Sequence, residues 1–143
     1  MFVGRKSELK TLEALYASGR FECVVIYGRR RVGKTSLIHE FIKGKDSIFY
    51  TGLETDSNEN LEHMSRSIIK PPFGEGAAPV FPDFREALDA VHERSLEQRL
   101  IFVIDEYPYL AASYRGFSSL LQTEIDHKFK DGKLFLKIGR AHV

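Results

Sequence analysis

The stretch Gly28-Arg29-Arg30-Arg31-Val32-Gly33-Lys34-Thr35 constrains this chain more than any other. It fits G-x-x-x-x-G-K-[ST], a pattern short enough to arise by chance, so its surroundings decide. Before it runs Cys23-Val24-Val25-Ile26-Tyr27, apolar and rich in β-branched residues, of strand length. After it, Leu37, Ile38, Phe41 and Ile42 fall at helical spacing. A loop of this composition between a buried strand and a helix N-terminus is the context of a phosphate-binding P-loop. The bland alternative is a glycine-rich turn carrying a surface lysine.

The chemistry needs these residue types. Gly28 and Gly33 allow backbone conformations closed to residues with a Cβ, so that successive N–H groups turn inward around phosphate oxygens. The helix opening near Lys34 adds the positive end of its dipole. Lys34 is expected to reach the β- and γ-phosphates, and the Thr35 hydroxyl to bind Mg²⁺. Arg29, Arg30 and Arg31 support phosphate, reach a neighbouring subunit, or are simply solvated.

The remaining chain alternates helices and strands. A helix is expected over residues 6–17, after an opening turn that contains Val3, Gly4 and Arg5. A second strand is expected at 47–51, closed by Gly52, with a polar helix over 58–69. A proline- and glycine-rich loop spans 71–79. Asp83 caps a helix running from Phe84 to about Leu96. Leu100-Ile101-Phe102-Val103-Ile104 is a continuous apolar run, as in strands buried on both faces, and it ends in Asp105-Glu106. Another helix is expected over 116–129, and a fourth strand begins with Leu134-Phe135-Leu136. This alternation implies an α/β fold with a parallel sheet.

In an open parallel sheet, ligands bind beyond the carboxyl ends of the strands. The P-loop and the Asp105-Glu106 pair both fall there. Asp105 is then placed near the Mg²⁺ held by Thr35. Glu106 is left to orient and deprotonate the water that attacks the γ-phosphate. The alternative is a solvated acidic strand end. There is no Asn-Lys-x-Asp, which disfavours a GTPase. His39, His63, His92 and His127 show no metal-ligand spacing.

Composition adds bounds. The chain has 143 residues, enough for one domain with a real core. Its net charge of +1 gives no argument for nucleic acid. The lone cysteine, Cys23, is expected to be a small buried hydrophobe in the first strand. No apolar run approaches a membrane span and no signal-peptide core opens the chain, so a cytoplasmic location is expected.

Three blocks together resemble a known family. They are Phe2-Val3-Gly4-Arg5-Lys6-Ser7-Glu8-Leu9, then residues 25–37 around the P-loop, then Phe102-Val103-Ile104-Asp105-Glu106-Tyr107-Pro108-Tyr109-Leu110. The chain is similar over residues 1–136 to the archaeal-type P-loop ATPases of the AAA/STAND group. The resemblance implies a three-layer sandwich with strand order 5-1-4-3-2, of which strands 1–4 are here. It implies ATP and Mg²⁺ as cofactors, with Val3, Gly4 and Arg5 near the adenine. Gly28, Arg29, Arg30, Arg31, Val32, Gly33, Lys34, Thr35 and Ser36 would form the phosphate site. Members usually add C-terminal segments, so DNA acting through those segments, and a homo-oligomer, are the further partners implied. A P-loop small-molecule kinase and a nucleotide-dependent interaction module with little turnover remain the competing functions.

The family pattern breaks at the end. A small polar sensor residue, a fifth strand and a helical lid are expected after the fourth strand. Instead the chain reads Lys137-Ile138-Gly139-Arg140-Ala141-His142-Val143. Those residues can be encoded AAG-ATC-GGA-AGA-GCA-CAC-GTC, which contains the start of a common short-read sequencing adapter. Residues 137–143 are therefore expected to be a non-native tail on a longer natural protein. Taking Lys137 and Arg140 from the 21 Lys and Arg leaves 19 against 20 acids.

Overall fold

The computed structural model describes residues 3–28, 34–69 and 79–141. In chain order the elements are α1 (Val3–Ala17), β1 (Glu22–Gly28), α2 (Lys34–Ile42), β2 (Ser47–Thr51) and α3 (Ser57–Ile68). There follow α4 (Phe84–Glu97), β3 (Leu100–Asp105), α5 (Tyr107–Ser113), α6 (Phe117–His127), a 3₁₀ turn at Phe129–Asp131 and β4 (Leu134–Ala141). The strands form one parallel sheet in the order β1-β4-β3-β2. This is the expected order 1-4-3-2.

The middle of the sheet is buried on both sides, as the apolar run of β3 predicts. Alternation sends Ile101 and Val103 of β3 and Phe135 of β4 to one face, where they pack on Leu12 of α1 and on Leu37, Ile38 and Phe41 of α2. It sends Leu100, Phe102, Ile104, Leu134, Leu136 and Ile138 to the other, against α3 to α6. The result is a helix–sheet–helix sandwich.

Local chemistry fixes the element ends. The Asp83 side chain accepts from the Glu86 N–H at 2.9 Å, the cap its position predicts, and Asp56 caps α3 on Glu59 in the same way. Arg99, at the start of β3, donates to the carbonyls of Leu15 and Tyr16 at the last turn of α1 and to those of Arg20 and Lys133. One guanidinium so adds a second donor to carbonyls that already accept from Ser18 and Gly19 N–H, and ties that helix to the sheet.

Four differences from expectation have physical reasons. First, α1 begins at Val3, so Val3, Gly4 and Arg5 lie in its first turn rather than ahead of it. Second, Cys23 is exposed, because β1 is an edge of the sheet among the described residues and its faces are only partly covered. Third, Tyr107–Ser113 forms a helix that periodicity missed. Fourth, β4 runs on through Ala141, so residues 137–141 are a strand between β1 and β3. The loop expected over 71–79 lies almost wholly outside the described residues.

Candidate nucleotide site

Strand β1 ends at Gly28 and α2 begins at Lys34, so a parallel strand and a helix N-terminus bracket the P-loop. Arg29, Arg30, Arg31, Val32 and Gly33 lie outside the described residues. For Gly28, Lys34 and Thr35 the backbone alone is placed. Ser36 is exposed on the first turn of α2.

Asp105 closes β3. It is in register with Thr51 of β2, and the residue before it in β3, Ile104, is in register with Ile138 of β4. Alternation puts its side chain on the face of Ile101 and Val103, the face that carries α2. Asp105 is only 7% exposed. Between Asp105 and β1 stands Gly139 of β4, itself in register with Ile26. A Cβ on Gly139 would collide with the Asp105 carboxylate and stand 3.0 Å from Lys137 Nζ. The absence of a side chain there gives the carboxylate its room. Lys137, 1% exposed, brings an ammonium group into the same space.

Glu106 has φ 51° and ψ 45°, the one left-handed non-glycine residue among those described. It turns the chain out of β3 directly into α5, with Pro108 in the first turn, where no N–H is missed. Its side chain is half-buried at the carboxyl end of the sheet. The Gly52 N–H donates to the Asp105 carbonyl at 2.8 Å. Nothing in the sequence pattern marked Gly52 or Gly139 beyond a strand end and a tail. Their role rests on close approach between strands distant in sequence.

The donor set suits Mg²⁺. That ion takes hard oxygen ligands, one or two carboxylates beside substrate phosphates and water, and needs no protein cage. The Asp105 carboxylate, nearly buried on the face that carries α2, is a ligand of that kind. The described residues hold no cluster of three or more His, Cys, Asp or Glu that would bind a metal alone. None of their helices is long and apolar enough to cross a membrane.

Comparison with known proteins agrees with this geometry. A family model described as an ATPase domain predominantly from Archaea matches residues 2–138. An uncharacterized protein of Methanocaldococcus jannaschii is 36% identical over 138 residues, 96% of this chain and 29% of its own length. An uncharacterized ATP-binding protein of the same organism is 49% identical over 45 residues, 32% of this chain and 76% of its own. The chain thus spans under a third of the first relative. Two solved structures share the fold at 17% identity and a TM-score of 0.62. They are Cdc6p of Pyrobaculum aerophilum, covering 98% of this chain and 40% of its own, and the ORC2 protein of Aeropyrum pernix in ADPNP and ADP complexes, at 97% and 42%.

Proposed function

Because the chain belongs to the ATPase domain family found predominantly in Archaea, we propose that it is the nucleotide-hydrolysing core of a longer Mg²⁺-dependent ATPase of the STAND type. The observation that carries this reading is the Asp105 carboxylate, nearly buried on the α2 face at a strand end, with Glu106 immediately after it. In this reading the backbone of residues 28–35 wraps the phosphates. Lys34 places its charge on the β- and γ-phosphates. Thr35 and Asp105 hold Mg²⁺, which supplies neutralisation of the developing phosphate charge. Ser36 extends the phosphate site, and Val3, Gly4 and Arg5 flank the adenine. Glu106 accepts the proton of the attacking water. The energy released is coupled to segments outside this chain that act on DNA, a coupling whose signature is DNA-stimulated phosphate release by the full-length protein. The length of the first relative, of which this chain spans 29%, supports an output outside the domain.

Residues 137–143 are read here as adapter-encoded. The codon match carries this reading.

The test uses the full-length protein that carries this domain. Lys34→Ala should weaken ATP binding. Asp105→Asn should weaken the dependence on Mg²⁺. Glu106→Gln keeps size and hydrogen bonding but cannot take a proton. It should leave ATP affinity by calorimetry intact while phosphate release falls about 10²–10⁴-fold. Phosphate release by Glu106→Gln at the parent rate would remove Glu106 from the role of base. Phosphorylated small-molecule products in place of free phosphate would make the protein a kinase.

A further inference from the structure

We infer that the connection after β2, through Gly52 and Asn60, positions Glu106 to take the proton of the water that attacks the nucleotide. This rests on Glu106 being the base. Left-handed backbone is unfavourable for a residue with a Cβ, so it persists where surroundings impose it. Two contacts do so here. At the start of α5, Gly52 lies flat against the corner. A Cβ there would stand 2.5 Å from the Glu106 carbonyl oxygen and 3.2 Å from the Leu110 nitrogen. Both are backbone atoms that cannot rotate aside. The φ of Gly52 is not in the left-handed range, so space alone demands glycine.

At the far end of α5, Asn60 of α3 is wholly buried and makes a closed set of bonds. Its Oδ1 accepts from the Tyr50 hydroxyl at 2.6 Å and from the Leu53 N–H at 2.9 Å. Its Nδ2 donates to the Leu53 carbonyl at 3.0 Å and to Ser113 Oγ at 3.1 Å. Ser113 in turn donates to the Leu110 carbonyl at 2.9 Å. One amide therefore joins the end of β2, the loop after it and the last turn of α5. The short helix that Glu106 opens is held at both ends by one connection, and the Glu106 backbone has a single place to stand. Gly52 and Asn60 are positioning residues. They need touch neither nucleotide nor water.

The experiment measures steady-state phosphate release and ATP affinity in the full-length protein for Gly52→Ala and Ser113→Ala, each alone and combined with Glu106→Gln. A positioning role lowers kcat about ten- to a hundredfold in Gly52→Ala, since displacement by about 1 Å has effects of that size. It lowers kcat by a smaller factor in Ser113→Ala and leaves ATP affinity unchanged in both. In the Glu106→Gln background neither change should slow turnover further, because the group being positioned no longer takes the proton. Equal slowing in both backgrounds, or weaker ATP binding at unchanged kcat, overturns the positioning role while leaving Glu106 as base. Phosphate release by Glu106→Gln at the parent rate overturns both. Should Gly52→Ala fail to fold, Ser113→Ala, which deletes one half-buried hydroxyl, carries the same comparison by itself.

Discussion

Glu124 shows how one side chain can set a pH dependence far from the nucleotide site. It lies in α6 at 3% exposure, facing Asp89 of α4, with Lys128 Nζ 2.6 Å from Asp89 and 3.7 Å from Glu124. Burial, then a hydrogen bond to Asp89 and the Asp89 charge, raise its pKa above the ordinary 4.5, against the pull of Lys128 and Arg85. The folded chain therefore keeps a proton that the unfolded chain loses as pH rises past that value. Glu124 favours the fold most fully below its unfolded pKa and loses that contribution as pH climbs through its folded pKa. Glu124→Gln retains the shape and cannot ionise. Urea midpoints of parent and variant, compared from pH 4 to 7, should diverge with rising pH in favour of Glu124→Gln. Parallel curves would show that Glu124 titrates alike in both states.

At the scale of elements, β1 is the vulnerable one. Among the described residues it pairs with β4 on one side only, Val25 is 41% exposed and Cys23 is exposed, beside a groove of about 290 Å³ shared with Tyr107, Leu121 and Ile138. Unpaired N–H and C=O groups flanked by apolar side chains invite another chain to add on. This chain should self-associate as concentration rises, and Val25→Lys should suppress that in light scattering. A lysine stem tolerates a half-exposed site, so stability should change by under about 1 kcal/mol. A parent chain monodisperse at high concentration would dismiss the idea. How far such elements were legible depends on where their information lay. The β3 run and the Asp83 cap carry theirs locally, and the strand order came from the family resemblance. Cys23 misled because burial of an edge strand depends on neighbours, not on its own composition. Helix α5 escaped because seven residues opening Tyr-Pro-Tyr offer under two turns of periodicity. Its existence depends on the burial of Tyr107 and Leu110 and on the Gly52 contact. In the site, Asp105, Glu106 and the P-loop pattern were legible as motifs. Gly52, Asn60 and Gly139 were not, since each matters through a backbone or buried amide brought to it by another strand.

For the whole molecule, the ordered seating of residues 137–141 bears on the tail. A parallel strand is built from backbone hydrogen bonds, so a segment of foreign origin can occupy β4 if its side chains fit. Ile138 fills the core, and Lys137 is buried beside the Asp105 carboxylate. An independent clone of the source gene should diverge from this reading frame at or near Lys137. A clone encoding residues 138–143 followed by a stop codon would make the tail native. The sheet's connectivity also has a consequence in time. Glu22 of β1 pairs with Phe135 of β4, more than a hundred residues later. At roughly 5–20 residues per second, a ribosome needs on the order of ten seconds between making the two. Through that interval β1 waits for the strand it pairs with. A nascent chain of this kind should depend on factors that hold unfolded chains until its last strand emerges.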